Sequence, residues 1–279
     1  MLIDLNVQWP QRNYATPPTP QEIIKLKNTI STLEELGYTH IALNFTVNHK
    51  DKIPSNQQIN PINFDLLKEF QGRIKFFSRV TIIIDEPSQG QSISKLQNGF
   101  DIISVLPISE KGVLLACNSL DIDIITFQYD KRLPCFLKQK TIGAAVKKGI
   151  KFEITYSNFI KDQGNSRAQF INNSLNLIRA SRNQNIIVSS GATSSLEIRN
   201  FPDVLNLLDL LGFKKNYNLI DKASKVLLSG RLRNKSYKQT IMIGEDAIED
   251  EANLNKRNIK DINGGDVFKQ HLKKLKSGK

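Results

Sequence analysis

Apolar positions along the chain follow two rhythms that alternate. Seven short runs are dense in Ile, Val, Phe and Leu: "LIDLNV" from Leu2, "HIALNFTV" from His40, "KFFSRVTIIID" from Lys75, "DIISVLPI" from Asp101, "DIDIITFQ" from Asp121, "KFEITYS" from Lys151 and "NIIVSSGA" from Asn185. β-branched and aromatic residues suit a pleated backbone, so these runs predict strands. Several are nearly continuous in apolar residues, as strands buried on both faces are, which points to a parallel sheet. Between them the spacing changes to three and four. "PTPQEIIKLKNTISTLEELG" opens on prolines, repeats Ile23, Leu26, Ile30 and Leu33, and stops at Gly37, which predicts a capped helix. "NFDLLKEFQG" reads as a short helix ending at Gly72, and "CFLKQKTIGAAVKKG" as one ending at Gly149. "NSRAQFINNSLNLIRASRNQN" places Ile171, Leu175 and Ile178 on one stripe, with asparagines opposite.

Strand starts lie roughly 20 to 40 residues apart, the spacing of repeated strand–helix units. Seven parallel strands in a chain of 279 residues predict an α/β fold, a TIM-type (β/α) barrel that is imperfect because no eighth strand is found. A doubly wound open sheet is the alternative. The segments "SSLEIRNFPDVLNLLDLLGF" and "NLIDKASKVLLSG", where an eighth strand would fall, have helical patterns. Beyond them the composition shifts. An acidic block from Glu245 to Glu251 precedes a basic end with no sustained apolar face. The expected organisation is therefore a barrel domain over 1–243 and a disordered tail over 244–279.

Charge adds a partner to this picture. Thirty-nine Lys and Arg against 27 Asp and Glu give a formal charge of +12. That excess attracts anions, with nucleic acid or an anionic membrane surface as candidates. No apolar run reaches the length of about 18 residues needed to span a bilayer, so no membrane association through a span is expected. The first residues lack the pattern of a secretory signal. Cys117 and Cys135 have no zinc spacing and read as buried thiols of a reducing compartment.

The cations cluster. From Lys131 to Lys151 there are seven of them, Lys131, Arg132, Lys138, Lys140, Lys147, Lys148 and Lys151, and no acid. From Lys214 to Lys238 there are eight against Asp221, ending in the string "SGRLRNKSYK" with Arg231, Arg233, Lys235 and Lys238. Clustered cations neutralise successive phosphates without reading bases. Gly230, after an apolar run, is expected to end a helix in a left-handed cap and turn the basic string outward. Phe136, Tyr217 and Tyr237 lie close enough in sequence to stack on unpaired bases or to serve as filler.

Catalytic signals are weaker. Barrel enzymes gather their chemistry where strands finish. Asp4, Asp85, Glu86 and Glu153 stand at or near such ends and could ligate a metal in a phosphoesterase, or act as caps and filling. The three histidines, His40, His49 and His271, are scattered, and the first strand carries "DLN" where a multinuclear site needs paired imidazoles. "SGATSS", Ser190 to Ser195, could hold a phosphate at a helix start or form a tight turn. No phosphate-loop, dinucleotide or nucleophile-elbow motif is present.

Four strings, "YTHIALNFTVNH", "RVTIIIDEPSQGQSISKLQNGFDIISVLPISEKGV", "LDIDIITFQYDKRLPCFLK" and "LLSGRLRNKSYKQT", closely resemble the barrel-shaped protein subunit of nuclear ribonuclease P and ribonuclease MRP, fungal members above all. The likeness runs from Met1 to Ile243. It implies a TIM-like barrel without the metal ligands of the related phosphatases, no active site or cofactor of its own, and membership of a particle whose RNA performs the cleavage. It also implies contacts with the ribonuclease P and MRP RNAs, with a small α/β protein subunit, and with precursor tRNA through the complex. The expected roles are tRNA 5′-leader removal and rRNA processing in the nucleus and nucleolus. Arg231, Arg233, Lys235, Lys238, Lys131, Arg132, Lys147 and Lys148 are the expected RNA contacts. A metallophosphoesterase and a general protein scaffold with incidental charge remain as alternatives.

Overall fold

The computed structural model describes residues 1–11, 13–48, 59–86, 90, 93–97, 99–161, 164–214, 218–237 and 241–242. Strands β1 (Leu2–Gln8), β2 (Tyr38–Val47), β3 (Lys75–Ile84), β4 (Ile102–Pro107), β5 (Ile124–Thr126), β6 (Lys151–Thr155) and β7 (Ile186–Ser189) pair in chain order, each parallel to the next. The sheet curls until β1 meets β7 through a parallel bridge between Val7 and Ala192, with Gly191 N–H donating to Asn6 O at 2.9 Å. This is the expected imperfect barrel, with seven strands among the described residues, nearly closed by that bridge. The two segments with helical patterns are helical.

Helices α1 (Pro20–Glu35), α2 (Ile93–Leu96), α3 (Glu110–Asn118), α4 (Gln139–Lys147), α5 (Ser157–Lys161), α6 (Asn165–Ser181), α7 (Phe201–Leu210) and α8 (Leu219–Lys235) fill the connections, with a 3-10 turn over Phe64–Phe70. Sequence explains the start of α1. Thr19 accepts from Glu22 N–H while the Glu22 carboxylate takes Thr19 N–H, and Pro20 fills the first helical position. Gly37, at φ +85°, then makes the left-handed turn into β2 that a Cβ would strain. The stripe expected on α6 is rotated. Phe170, Asn173, Ser174, Leu177 and Ile178 are buried and Ile171 is exposed, because Asn173 faces inward to donate to Tyr129 O and Lys131 O at 2.9 and 2.7 Å.

Two apolar layers result. The larger lies between the strands and the surrounding helices. The smaller lies inside the barrel, where Ile3, Leu5, Ala42, Phe77, Ile102, Ile124 and Ile187 pack against Ala223, Val226 and Leu227 of α8. Helix α8 therefore closes the lower end of the barrel, where the strands begin. Gly230 lies inside this helix, with no left-handed turn, which corrects the expected cap. Its missing side chain serves close approach: a Cβ there would stand 2.0 Å from the carbonyl oxygen of Asp101. The chain divides into units Met1–Asn234 and Lys235–Lys279, and in the second Ser236–Tyr237 pairs antiparallel with Ile241–Met242. The expected tail, 244–279, lies outside the described residues.

Candidate nucleic-acid interface

Above the apolar plug the barrel interior turns polar. At its centre Arg79 of β3 and Glu153 of β6, both fully buried, form a two-pronged ion pair with N–O distances of 2.5 and 2.6 Å. The guanidinium also donates to Leu5 O at 2.8 Å and Ser104 Oγ at 3.0 Å. The carboxylate further accepts from Ser189 Oγ at 2.6 Å and Asn6 Nδ2 at 3.2 Å. Asn6 continues to Asn44, and Asn44 to Thr81, at 2.9 and 2.7 Å. A slip in the β1 register between Asp4 and Val7 makes room for this: Leu5 joins the inner apolar plug while Asn6 turns to Glu153.

This network fills the middle of the barrel, below the strand ends where barrel enzymes do their chemistry. Glu153, one of the four acids considered for a metal, has both oxygens committed to a cation that the chain itself supplies. Asp4 is buried, its Oδ1 accepts from the N–H groups of Asn6 and Ser190, and burial raises its carboxyl above the usual range. Asp85 and Glu86 follow the end of β3. Among the described residues no three His, Cys, Asp or Glu side chains converge as a metal site. Sequence reasoning considered Glu153 but missed Arg79. The available signal was a cation set inside an otherwise apolar strand.

At "SGATSS", where a phosphate at a helix start or a tight turn were both open, Gly191 makes a left-handed turn at φ +66°. Thr193 N–H donates to Glu197 at 2.7 Å, and the following helix is a single 3-10 turn, so a carboxylate of the chain takes the place of the anion. Cys117 is buried, and burial pushes its thiol up to about 12; Cys135 is only half-buried.

The fold sorts the expected RNA-contacting cations into different situations. Arg233 is drawn into the lower end of the barrel. It is 14% exposed, holds both oxygens of Asp123 at 2.7 and 2.8 Å, and donates to Asp101 O at 2.8 Å. Its charge is spent on docking α8. Arg231, two residues earlier, is exposed, with its guanidinium 5.8 Å from the centre of the Phe77 ring. Lys235 ends α8 with its side chain outside the described residues, as is Lys238. Lys131, Arg132, Lys147 and Lys148 are exposed, and the Lys148 ammonium reaches Asn118 O. Phe136 is 78% exposed, while Tyr217 and the Tyr237 side chain lie outside the described residues.

Several cations meet at the lower end. His40 and Lys75 are register partners at the start of β2 and β3. The His40 imidazole is held below its ordinary value by burial and then by Lys75, the N-terminal amine and Arg231. Burial, and then Lys225, likewise lowers Lys151. These cations act on one another, and such mutual repulsion is relieved by an anion. Asp101 and Asp123, acids at this end, are occupied by Ser78 and Arg233.

The fold and surface together define a barrel with its interior sealed by a structural ion pair and its exterior rich in cations. Comparison with known proteins is consistent with that class. The family model for the RNase P subunit p30 matches residues 1–235. The ribonuclease P/MRP protein subunit RPP1 of Saccharomyces cerevisiae is 50% identical over 252 residues, covering 88% of this chain and 85% of the relative. A probable ribonuclease P protein subunit 3 of Schizosaccharomyces pombe is 34% identical over 244 residues, covering 86% and 98%. A chain of an archaeal ribonuclease P solved with mature tRNA shares the fold, with a TM-score of 0.59 and 18% identity over 88% of this chain and 99% of that one. The chain belongs to the RNase P subunit p30 family.

Proposed function

We propose that the chain is a non-catalytic, RNA-binding protein subunit of ribonuclease P and of ribonuclease MRP. In this role it supports removal of the 5′ leader from precursor tRNA and processing of rRNA, in the nucleus and nucleolus. The observation that carries the reading is the likeness to the yeast P/MRP subunit across 88% of the chain. The geometry supports the non-catalytic part, because Glu153 at the centre of the barrel is neutralised by Arg79 and hydrogen-bonded on both oxygens. The barrel would buttress the RNA and dock neighbouring protein subunits, a small α/β subunit among them, while magnesium chemistry belongs to the RNA. Of the basic string, Arg231, Lys235 and Lys238 are the proposed RNA contacts, with Lys131, Arg132, Lys147 and Lys148 on the other block.

Two measurements on the purified full chain test this. Filter binding to in-vitro-transcribed ribonuclease P RNA across a salt series should show log affinity falling steeply with log salt, as counterion release requires. Incubation with precursor tRNA and magnesium, without the RNA subunit, should leave the leader attached. Cleavage at the mature 5′ end by the protein alone would refute the proposal.

A further inference from the structure

Between α4 and the lower end of α6 lies a groove of about 620 Å³. Lys140, Gly143, Ala144 and Lys147 form one wall, at the three- and four-residue spacing that shares a helix face. Ser181, Arg182 and Gln184 form the other. The two small residues leave the floor open, with a lysine at each end, about 10 Å apart along the helix axis. No acid is among the described lining residues.

The turn that makes the second wall is unusual. Arg182, Asn183 and Asn185 all have left-handed backbone, with φ of 54°, 61° and 50°. Asparagine tolerates that region and arginine does so poorly. The turn is also a junction. Arg182 donates to Gln139 of α4 at 3.2 Å, Asn183 accepts from Lys214 N–H at 3.2 Å, and Asn185 accepts from the Lys151 ammonium at 3.2 Å while donating to Val146 O at 3.0 Å. Through Asn185 it therefore links α4 to Lys151, whose ammonium is lowered by burial and then by the charge of Lys225 of α8. Backbone strain persists where the surroundings fix it and something is gained. Here the strained position keeps a positive charge that asparagine or glycine would give up.

We infer that this groove, formed by Lys140, Lys147 and Arg182, is a seat for the phosphate backbone of the particle's RNA. The inference rests on the RNA-binding reading above and narrows it. It adds Lys140 and Arg182 to the contact surface and joins the lower half of the first basic block to the cations around α8. Contacts of this kind fix the position of the RNA without selecting bases.

The test compares three full-length proteins in filter binding to ribonuclease P RNA over a salt series. They are the natural sequence, the groove variant Lys140→Gln/Lys147→Gln/Arg182→Asn, and a control with equal loss of charge, Lys27→Gln/Lys68→Gln/Arg73→Gln. The control cations already pair with Glu69, Asp65 and Glu34. The groove variant should flatten the salt slope by about 2 to 3, from roughly 0.7 to 0.9 for each phosphate no longer neutralised. The control should leave the slope within about one. Arg182→Asn alone should bind RNA more weakly while its melting temperature stays the same or rises, a split that a merely structural arginine would not give. Equal slopes for groove variant and control would overturn the groove assignment and leave RNA binding in place. Absence of RNA binding by the natural sequence would overturn both readings. Normal RNA binding by the groove variant, with loss of a protein subunit from the reconstituted particle, would make the groove a protein surface and overturn the inference.

Discussion

Replacing Arg79 by methionine removes the guanidinium and leaves the Glu153 carboxylate sealed at the centre of the barrel. Four hydrogen bonds disappear: two to Glu153, one to Leu5 O and one to Ser104. A buried charge stripped of its partner costs about 3–5 kcal/mol, because desolvation is no longer offset. For a folded unit of this size each kcal/mol moves the melting temperature by about 2–4 °C, so the expected drop is about 6–20 °C. Glu153→Leu strands the guanidinium and should cost a similar amount. The double variant, Arg79→Met/Glu153→Leu, buries no charge. It still leaves Ser104, Ser189 and Asn6 without their partners, so it will not match the natural protein. It should nonetheless be more stable than the two single losses added together, with a coupling of about 3 kcal/mol, at the top of the range for residues in direct contact. Chemical denaturation of all four proteins at pH 7 gives the cycle. The Arg79→Met defect should also shrink between pH 8 and pH 5, since a stranded carboxylate escapes by taking up a proton. A shift of less than about 3 °C for Arg79→Met, below the low end of that conversion, or strict additivity in the cycle, would refute the view that this pair organises the barrel interior.

Three further outcomes follow from the same geometry. Gly230→Ala drives a Cβ to 2.0 Å from Asp101 O, so α8 must move off the barrel; a stability loss of about 3 kcal/mol and faster tryptic cleavage at Arg231 and Arg233 are expected. Arg233→Ala should cost about 3 kcal/mol by stranding Asp123, whereas exposed Arg231→Ala should stay within about 0.5 kcal/mol and show its effect in the RNA salt slope. Asp4→Asn should stabilise the protein at neutral pH: burial raises the folded-state carboxyl, so its contribution is fully present below the unfolded value near 3.8 and lost as pH rises through the higher folded value. The gap between Asp4→Asn and the natural protein in urea midpoints should therefore widen from pH 4 to pH 8, and a constant gap would refute it.

How much of this was legible depended on how local the cause was. The seven strands show in the sequence because a parallel strand buried on both faces needs a nearly unbroken apolar run, a property of adjacent residues. The start of α1 shows for the same reason, since Thr19, Pro20 and Glu22 act within one turn. Gly230 misled because its cause is remote. A glycine after an apolar helix reads as a cap, yet what selects it is a carbonyl at Asp101, far back in the chain. Arg79 and Glu153 are 74 residues apart, and nothing near either one announces the other. The basic strings show the same limit in the feature that matters most for function. Sequence groups cations by adjacency, and the fold regroups them by where acids and helix ends fall. Arg233 leaves its string because Asp123, 110 residues earlier, waits at the lower end of the barrel. Lys140 and Lys147 gain Arg182 because α4 lies against the end of α6. A run of positive charge thus counts as a contact surface only after its buried acid partners are subtracted, and cations brought in from other strings are added.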